Sequence, residues 1–315
     1  MLKIGVVGAG HFGRYHINCL KQSKVYDLVG FYDINNETIV NIKDHFGVHA
    51  FKTLDDLIKS VDVVDIVTPA TTHYDCIINV LKNSRHAFVE KPLTTTFLEA
   101  QAIYELSDKN KVKIQIGHIE RFNPAFLAAL PYFNTPVQID IKRFGTYSPR
   151  NKDVSVLEDL MIHDLDIICH VIKSPVKNIE ATGFITQSDQ YDIIDANLEF
   201  ENGCIVKVIA NRVAENGYRT AKFLQKDSLV MIDFLKKETK VIFSGNGMLN
   251  IDMELNENLY PGHKIISPPI IEINAMMTEL ETFHDSIINN TEPLVPVRDS
   301  LEVFKIIDLI KKKLK

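Results

Sequence analysis

Cysteine is scarce in this chain, and its few copies are widely separated. Four occur in 315 residues, with no Cys-x-x-Cys pair, at Cys19, Cys76, Cys169 and Cys204. Disulfide frameworks and cysteine zinc sites need several cysteines in suitable spacing, so we expect free thiols in a reducing compartment. Residues 1–5 lead directly into an apolar strand, which does not resemble a cleavable signal. These features predict a cytoplasmic protein.

An excess of positive charge is also missing. The chain has 35 lysines and arginines against 41 acidic residues, which gives a formal net charge of −6. Proteins that bind nucleic acids or membrane surfaces carry a basic excess, so we expect neither partner. The run Lys311-Lys312-Lys313 is too short to change this and is interpreted as a solvated helix end. Long apolar runs of the kind that span a bilayer are absent from the sequence.

The length and hydrophobic content predict two globular domains. In residues 1–118, short apolar strands alternate with helices, which is typical of a parallel sheet covered on both faces. The expected strands are 2–7, 27–32, 61–67, 86–90 and 112–117, and the expected helices are 11–22, 72–82 and 97–109.

The pattern changes in residues 119–315, which we expect to form an α+β domain. A helix at 157–172 is followed by strands at 176–186, 193–200, 204–211, 220–225, 228–234 and 240–244. The tight turn Glu201-Asn202-Gly203 joins two of these strands, so the sheet should be open and antiparallel. The polar stretch 245–269 is interpreted as irregular loop. Helices near 274–289 and 300–314 close the chain and can pack back on the first domain.

A glycine-rich loop follows the first strand, Gly8-Ala9-Gly10-His11-Phe12-Gly13. In this context it predicts a doubly wound Rossmann domain whose loop and helix N-terminus hold a dinucleotide pyrophosphate. Asp33 ends the next strand, where a carboxylate would accept hydrogen bonds from the adenosine ribose. The carboxylate would repel a 2′-phosphate and no cation follows it, so we expect NAD rather than NADP. We expect cofactor contacts from Gly8, Gly10, His11, Phe12, Gly13 and Asp33.

Two further strand ends carry candidate residues of the nicotinamide pocket. Glu90-Lys91-Pro92 ends a parallel strand, where the Lys91 ammonium can stabilise negative charge on a substrate oxygen. A surface lysine before a turn proline is the structural alternative. Thr68, Pro69 and His73 follow another strand and are expected to line the same pocket, with a helix-start role as the alternative for His73.

The helix at 157–172 carries a polar stripe on an otherwise apolar surface. Asp159, His163, Asp166 and His170 share one face, and Asp164 is a discordant acid outside it. We interpret His163 as a general base that Asp159 orients. A structural pair of Asp159 and His163 is the alternative. For Asp166 and His170 we favour buried pairs or domain contacts. A metal site on this stripe lacks cysteine support or a known ligand motif, so we expect none.

Two polar segments are candidates for substrate binding. Glu120, Arg121 and Asn123 follow the last parallel strand and would bind cofactor or substrate, or else form an interdomain salt bridge. Arg143, Tyr147 and Arg150 precede the polar-striped helix and would suit an anionic substrate, or else lie on a solvated strand end.

Taken together, the glycine loop, Glu90-Lys91-Pro92 and Asp159-Leu160-Met161-Ile162-His163 resemble the Gfo/Idh/MocA oxidoreductase family over essentially the whole chain. The resemblance implies that Lys91 and His163 are a catalytic pair supported by Asp159. It also implies a cis Lys91–Pro92 bond and homodimers or homotetramers formed through the open sheet. Residues 117–124 and 159–166 look most like the UDP-N-acetylglucosamine 3-dehydrogenase type within the family.

The expected activity is therefore hydride transfer between NAD and a sugar hydroxyl, with the 3-hydroxyl of a UDP-N-acetylated sugar favoured. Two alternatives stay open: a dehydrogenase of a free polyol or monosaccharide, and a non-catalytic NAD-binding sensor. The sensor would need the glycine loop but not Lys91, Asp159 and His163 together.

Overall fold

The computed structural model describes residues 1–149, 152–245, 248–254 and 263–314. The chain forms two compact units. The first contains Met1–Ile119 and Asn274–Leu301, and the second contains Glu120–Ile273 and Glu302–Lys315. The segment 274–301 therefore returns to the first unit, so the first unit is discontinuous in sequence.

The first unit is built on a five-stranded parallel sheet with the order β2-β1-β3-β4-β5. Its strands are β1 (Leu2–Val7), β2 (Tyr26–Tyr32), β3 (Val63–Ile66), β4 (His86–Glu90) and β5 (Ile114–Gly117). Its helices are α1 (His11–Gln22), α2 (Asn36–Phe46), α3 (Leu54–Ser60), α4 (His73–Lys82), α5 (Phe97–Asn110) and α8 (Ala275–Ile288). The strand order reverses direction between β1 and β3, and ligands of such sheets bind beyond the strand ends at this point.

Local sequence fixes where several of these helices begin. The Asn35 side chain accepts from the Thr38 N–H at the start of α2. Thr96 and Glu99 form a reciprocal capping box at the start of α5, which satisfies two backbone donors that the first turn leaves exposed. Helices α2 and α3 were missing from the sequence-based prediction, although their capping residues are readable.

The second unit is built on an eight-stranded sheet with the order β13-β12-β11-β10-β6-β9-β8-β7. Its strands are β6 (Pro136–Phe144), β7 (Val176–Phe184), β8 (Ile193–Phe200), β9 (Ile205–Asn211), β10 (Tyr218–Gln225), β11 (Ser228–Asp233), β12 (Glu238–Phe243) and β13 (Lys264–Ile266). All neighbours are antiparallel except β6 and β9, which are parallel. The predicted α/β fold class with a second, largely antiparallel domain is confirmed.

Two details of the second sheet differ from the prediction. Strand β6 was missed because Arg143 occupies an inward position where alternation would place an apolar residue, and this hides the strand pattern. Strand β13 lies inside the stretch 245–269, which had been interpreted as loop. Residues 246–247 and 255–262 of that stretch lie outside the described residues.

Three helices belong wholly or partly to the second unit: α6 (Pro124–Ala129), α7 (Ile162–Ile172) and α9 (Val297–Lys313). The turn before α7, Leu157–Met161, is π-helical rather than α-helical. Apolar residues of α7 and the second half of α9 pack on the inward face of the sheet in one core, which includes Leu165, Ile168, Val208, Phe223 and Ile307. Among the described residues, we find no helix with the length and apolar composition to cross a membrane.

Candidate active site

The glycine loop between β1 and α1 packs closely against other backbone atoms at Gly8 and Gly13, whereas Gly10 faces open space. Gly8 has φ +89°, and a Cβ there would lie 2.8 Å from the Val67 carbonyl oxygen. A Cβ at Gly13 would lie 2.1 Å from the Gly8 carbonyl oxygen, so only glycine allows α1 to approach this closely. A Cβ at Gly10 would meet no atom within 4 Å. The open side above Gly10 fits a pyrophosphate that must approach the backbone at the N-terminus of a helix.

Asp33 is fixed beside this loop by two backbone donors. Its Oδ2 accepts from the Ala9 N–H at 2.7 Å, and its Oδ1 accepts from the Asn35 N–H at 2.8 Å. Each carboxylate oxygen has two lone pairs, so both oxygens can still accept from a ribose hydroxyl.

A cavity of about 610 Å³ adjoins the loop within the first unit. Its lining includes five residues for which cofactor contacts are predicted: Gly8, Gly10, Asp33, Thr68 and Pro69. That they contact cofactor stays a prediction. The described lining residues include two acids but no lysine or arginine. His11 and Phe12 were also expected to contact cofactor. They are exposed on the first turn of α1 and are not among those lining residues.

His73 was also predicted to contact the cofactor, but it is not among the residues that line this cavity. Its side chain is buried, and its two ring nitrogens lie 2.9 Å from the Pro92 carbonyl oxygen and 2.8 Å from the Thr68 carbonyl oxygen. Burial lowers the pKa of His73. The neutral imidazole donates to one of these carbonyl oxygens, and His73 lies between the segments that follow β3 and β4.

Lys91 lies at the end of β4, next to a cis Lys91–Pro92 bond, which confirms that expectation. The Glu90 carboxylate accepts from the Lys91 backbone N–H at 3.2 Å. Glu90 was predicted to contact the cofactor. Its described contacts place it beneath the lysine instead, where Oε1 lies 3.1 Å from His16 Nε2.

Behind Glu90 lies a buried pair that the sequence analysis did not identify. Nδ1 of His16 lies 2.9 Å from Oδ2 of Asp65, and both side chains are fully buried. Burial alone would lower the pKa of His16, but the charges and hydrogen bonds of Asp65 and Glu90 outweigh it and raise the pKa well above its ordinary value. The imidazole is thus held as a cation between two carboxylates.

In the second unit, Asp159 lies in the π-helical turn and His163 lies in the first turn of α7. Both side chains are partly exposed. Asp159 lines a cavity of about 290 Å³ together with Gly145, Thr146, Arg212 and Arg219. π-Helical turns inside α-helices occur frequently at functional sites, and this one carries the acid of the Asp-x-x-x-His pattern.

A buried ion-pair cluster lies next to this helix and corrects the substrate role predicted for Arg143. Arg143 is 1% exposed. It donates from Nη2 to Asp164 at 2.7 Å and from Nη1 to Glu120 at 2.7 Å. The Glu120 carboxylate also accepts from Arg219 at 3.3 Å. Burial opposes the ionisation of Glu120, but the Arg143 guanidinium outweighs it and lowers the pKa of Glu120. Because Arg143 is buried in this cluster, it is not placed to bind an anionic substrate. Glu120, which was predicted to bind cofactor or substrate, takes part in the same ion pairs.

Arg121 and Asn123 also have structural contacts within the second unit. Arg121 donates from Nε to Asp166 at 2.6 Å and from Nη2 to the other oxygen at 2.8 Å. Its Nη1 also lies beside His170 Nδ1. Burial and the Arg121 charge lower the pKa of His170 to about 4. The Asn123 side chain accepts from the Ala125 N–H at the start of α6. Asp166 is thus in the kind of buried pair that was favoured for it, and the partly exposed His170 lies at the edge of the same contact.

The remaining substrate candidates line another cavity or lie outside the described residues. Tyr147 lines a different cavity, of about 380 Å³, with residues 186–189. Arg150 lies outside the described residues. In the part of the chain that the structure describes, no three histidine, cysteine, aspartate or glutamate side chains group as metal ligands.

Four polar residues of these clusters were missed or left without a role in the sequence analysis: His16, Asp65, Asp164 and Arg219. For two of them the sequence does contain a sign of a buried charge. Asp65 interrupts an apolar parallel strand, and Asp164 is the discordant acid of an apolar helix. A buried charge must be paired, so each predicts a cationic partner, but not which one.

Comparison with known proteins gives the family. The model of an oxidoreductase family with an NAD-binding Rossmann fold, Gfo/Idh/MocA, matches residues 2–118. The C-terminal domain model of the same family matches residues 116–230. The chain belongs to the Gfo/Idh/MocA family. The resemblance stated from the sequence motifs is confirmed, and the chain is an oxidoreductase.

Relatives within the Gfo/Idh/MocA family differ in substrate. The chain is 28% identical over 287 residues to UDP-N-acetylglucosamine 3-dehydrogenase from Acidithiobacillus ferrooxidans, covering 91% of this chain and 88% of that one. A solved structure of the same enzyme has a TM-score of 0.92 at 26% identity and covers 99% and 97% of the two chains. The chain is also 27% identical over 274 residues to scyllo-inositol 2-dehydrogenase from Bacillus subtilis, covering 78% of each chain.

Proposed function

We propose that this protein oxidises a sugar hydroxyl with NAD, and that its substrate is a UDP-N-acetylated sugar oxidised at the 3-hydroxyl. The observation that carries the proposal is the similarity to UDP-N-acetylglucosamine 3-dehydrogenase along 91% of the chain. That similarity comes with Lys91 directly after β4, Asp159 in the π-helical turn and His163 in the first turn of α7.

Each of these residues has a defined chemical role in the proposal. NAD supplies a hydride acceptor at carbon 4 of the nicotinamide when it is bound. His163 takes the proton of the substrate hydroxyl as general base, and Asp159 orients the imidazole. Lys91 donates a hydrogen bond to the same oxygen and stabilises its developing negative charge. That Lys91 and His163 act on one substrate stays a prediction.

Variants of these residues test the roles directly. Lys91→Met and His163→Ala should each lower kcat at least about a hundredfold, the usual contribution of a general acid or base. NAD affinity should change little, because the loop and Asp33 are intact. Wild-type turnover in both variants would show that the roles are assigned to the wrong residues.

We also propose NAD rather than NADP as the cofactor. Asp33 is fixed at the loop by Ala9 and Asn35, and the described residues lining the cavity supply acids but no cation. A 2′-phosphate would meet this carboxylate without a compensating charge. Calorimetry should give tighter binding for NAD, and equal or tighter binding of NADP would refute the proposal.

A free polyol is the second candidate substrate, because the similarity to scyllo-inositol 2-dehydrogenase extends over 78% of the chain. A single assay separates the two. Purified protein with NAD is mixed with UDP-N-acetylglucosamine, UDP-N-acetylgalactosamine, scyllo-inositol, myo-inositol or glucose, and reduced cofactor is followed by absorbance. Turnover with the UDP-sugars alone supports the first candidate, and turnover with the inositols alone replaces it with the second. Cofactor binding with no turnover of any sugar would favour a non-catalytic sensor.

The family resemblance also leads us to propose a homodimer or homotetramer formed through the second sheet. Light scattering after size-exclusion chromatography measures the mass directly. A monomer at micromolar concentration would refute this part of the proposal.

A further inference from the structure

A chain of alternating charges runs from the interior of the first unit to Lys91. It starts at Asp65 on β3 and continues through His16 on α1 to Glu90 on β4. The Glu90 carboxylate accepts from the Lys91 backbone N–H and interacts electrostatically with the Lys91 charge. His16 and Asp65 are fully buried, and the Glu90 side chain is 20% exposed. Buried ionised groups are costly to keep unless they are paired, so this arrangement needs an explanation beyond packing.

Two hydrogen bonds and the missing side chain of Gly117 define the position of Glu90. A Cβ on Gly117 of β5 would lie 2.9 Å from Oε1 of Glu90, so the glycine leaves the space that the carboxylate occupies. His16 bonds the carboxylate at 3.1 Å and the Lys91 backbone N–H bonds it at 3.2 Å. The carboxylate is thus fixed between the imidazole and the residue that carries the ammonium.

We propose that His16 and Asp65 are positioning residues for Lys91. In this arrangement the buried imidazolium of His16 keeps the Glu90 carboxylate ionised beside the lysine. The proposal rests on the role of Lys91 in the proposed function. Asp65 holds the imidazole as a cation, the cation holds Glu90 as an anion, and the anion favours the ammonium form of Lys91. An ammonium can donate to a substrate oxygen, whereas a neutral amine donates much more weakly.

The electrostatic coupling between His16 and Glu90 agrees in direction with this order, whereas at Asp65 burial outweighs the His16 charge and hydrogen bond and raises the pKa of the carboxyl. Burial would raise the pKa of Glu90, but the His16 hydrogen bond and charge, together with the Lys91 charge, outweigh it and lower the pKa. Coupling between two charges is reciprocal, so the ionised Glu90 must in turn stabilise protonated Lys91.

Three other titratable groups face this cluster. Cys19 lies on α1, Tyr26 on β2 and His73 on α4. Burial raises the pKa of Cys19 and of Tyr26 and lowers that of His73. All three are therefore neutral near pH 7 and add no charge to the cluster.

The test measures the amine of Lys91 without needing turnover. Lysines of the folded protein are acetylated with limiting reagent across a pH series, and the extent at Lys91 and at the exposed reference Lys59 is read by peptide mass spectrometry. Only the neutral amine reacts, so the curve reports the protonation of each lysine. Glu90→Gln is the direct control, since it removes the carboxylate charge and keeps the shape.

The informative variant is the double substitution His16→Gln with Asp65→Asn. His16→Gln alone would leave Asp65 as an unpaired buried charge and could prevent folding, whereas the double variant removes both charges and keeps polar groups in place. We expect its Lys91 curve to move to lower pH by about one unit or more, the usual effect of losing a nearby opposite charge. The Lys59 curve should stay in place.

Tyr26→Phe serves as the matched control for a lost buried hydrogen bond, because the Tyr26 hydroxyl donates to the Leu280 carbonyl at 3.1 Å. We expect it to lower stability without moving the Lys91 curve. An unchanged Lys91 curve in a folded double variant would overturn the proposal and reduce the pair to a structural role.

Turnover gives a second readout that separates this inference from the proposed function. In the double variant, the alkaline limb of kcat should shift to lower pH by the same amount while KM for the sugar changes little. If no sugar is oxidised by wild-type protein, the proposed function fails, but the acetylation result still decides whether His16 and Asp65 control Lys91.

Discussion

Replacing Gly10 with alanine should weaken cofactor binding without disturbing the fold. The added Cβ meets no atom within 4 Å, and the Gly10 φ of −65° is open to alanine. We therefore expect the free energy of unfolding of the ligand-free protein to change by less than about 0.5 kcal/mol, as for an ordinary surface substitution. The methyl group points to the side of the loop where a pyrophosphate would approach the backbone. Loss of that approach should weaken NAD binding at least about tenfold, or about 1.4 kcal/mol.

Gly13→Ala is the matched control in the same loop. Its Cβ would lie 2.1 Å from the Gly8 carbonyl oxygen, so α1 has to shift away from the loop. Overpacking of this kind costs about 1–3 kcal/mol, and both stability and NAD affinity should fall. Urea unfolding of ligand-free protein and calorimetry with NAD measure the two effects separately. Unchanged NAD affinity in folded Gly10→Ala protein would show that the phosphates do not lie over this loop.

Two further predictions concern the second unit. Arg143→Met leaves the fully buried Asp164 without its cation and should cost about 3–5 kcal/mol in urea unfolding. Lys177→Met removes an exposed ion pair on β7 and should change the free energy of unfolding little. Similar losses of stability in the two variants would contradict the account of Arg143 and Asp164 as a buried ion pair. His170 has a folded pKa of about 4, below its unfolded value, so its contribution to stability is present above the unfolded pKa of about 6.5 and is lost as the pH falls towards 4. His170→Gln should therefore lose less stability than wild type between pH 7 and pH 5, and parallel losses would show that His170 does not titrate in this way.

Much of the first unit could be predicted because its signals are local. The glycine loop, the apolar strands and the acid at the end of β2 each occupy a few consecutive residues, and their physical meaning does not depend on distant partners. The cis bond and the family were likewise readable from Glu90-Lys91-Pro92 together with the Asp-x-x-x-His pattern.

The buried charges could not be assigned because their partners are far apart in sequence. His16 is 49 residues from Asp65 and 74 from Glu90, so only the sheet order brings the three together. Arg143 was interpreted as a substrate ligand for the same reason. Its partner Asp164 lies 21 residues away, and nothing in the sequence shows that an arginine on an unrecognised strand faces inward.

The return of residues 274–301 to the first unit has a consequence for how the cofactor domain can be isolated. Leu280 and Phe283 of α8 fill the core under β1 and β2, and the Tyr26 hydroxyl bonds to the backbone of that helix. A fragment ending at residue 119 would lack this wall and expose the apolar surface it covers. Joining 1–119 to 274–301 by a short linker would restore the wall. During synthesis, the core of the nucleotide-binding unit therefore cannot be completed until residues 120–273 have been made.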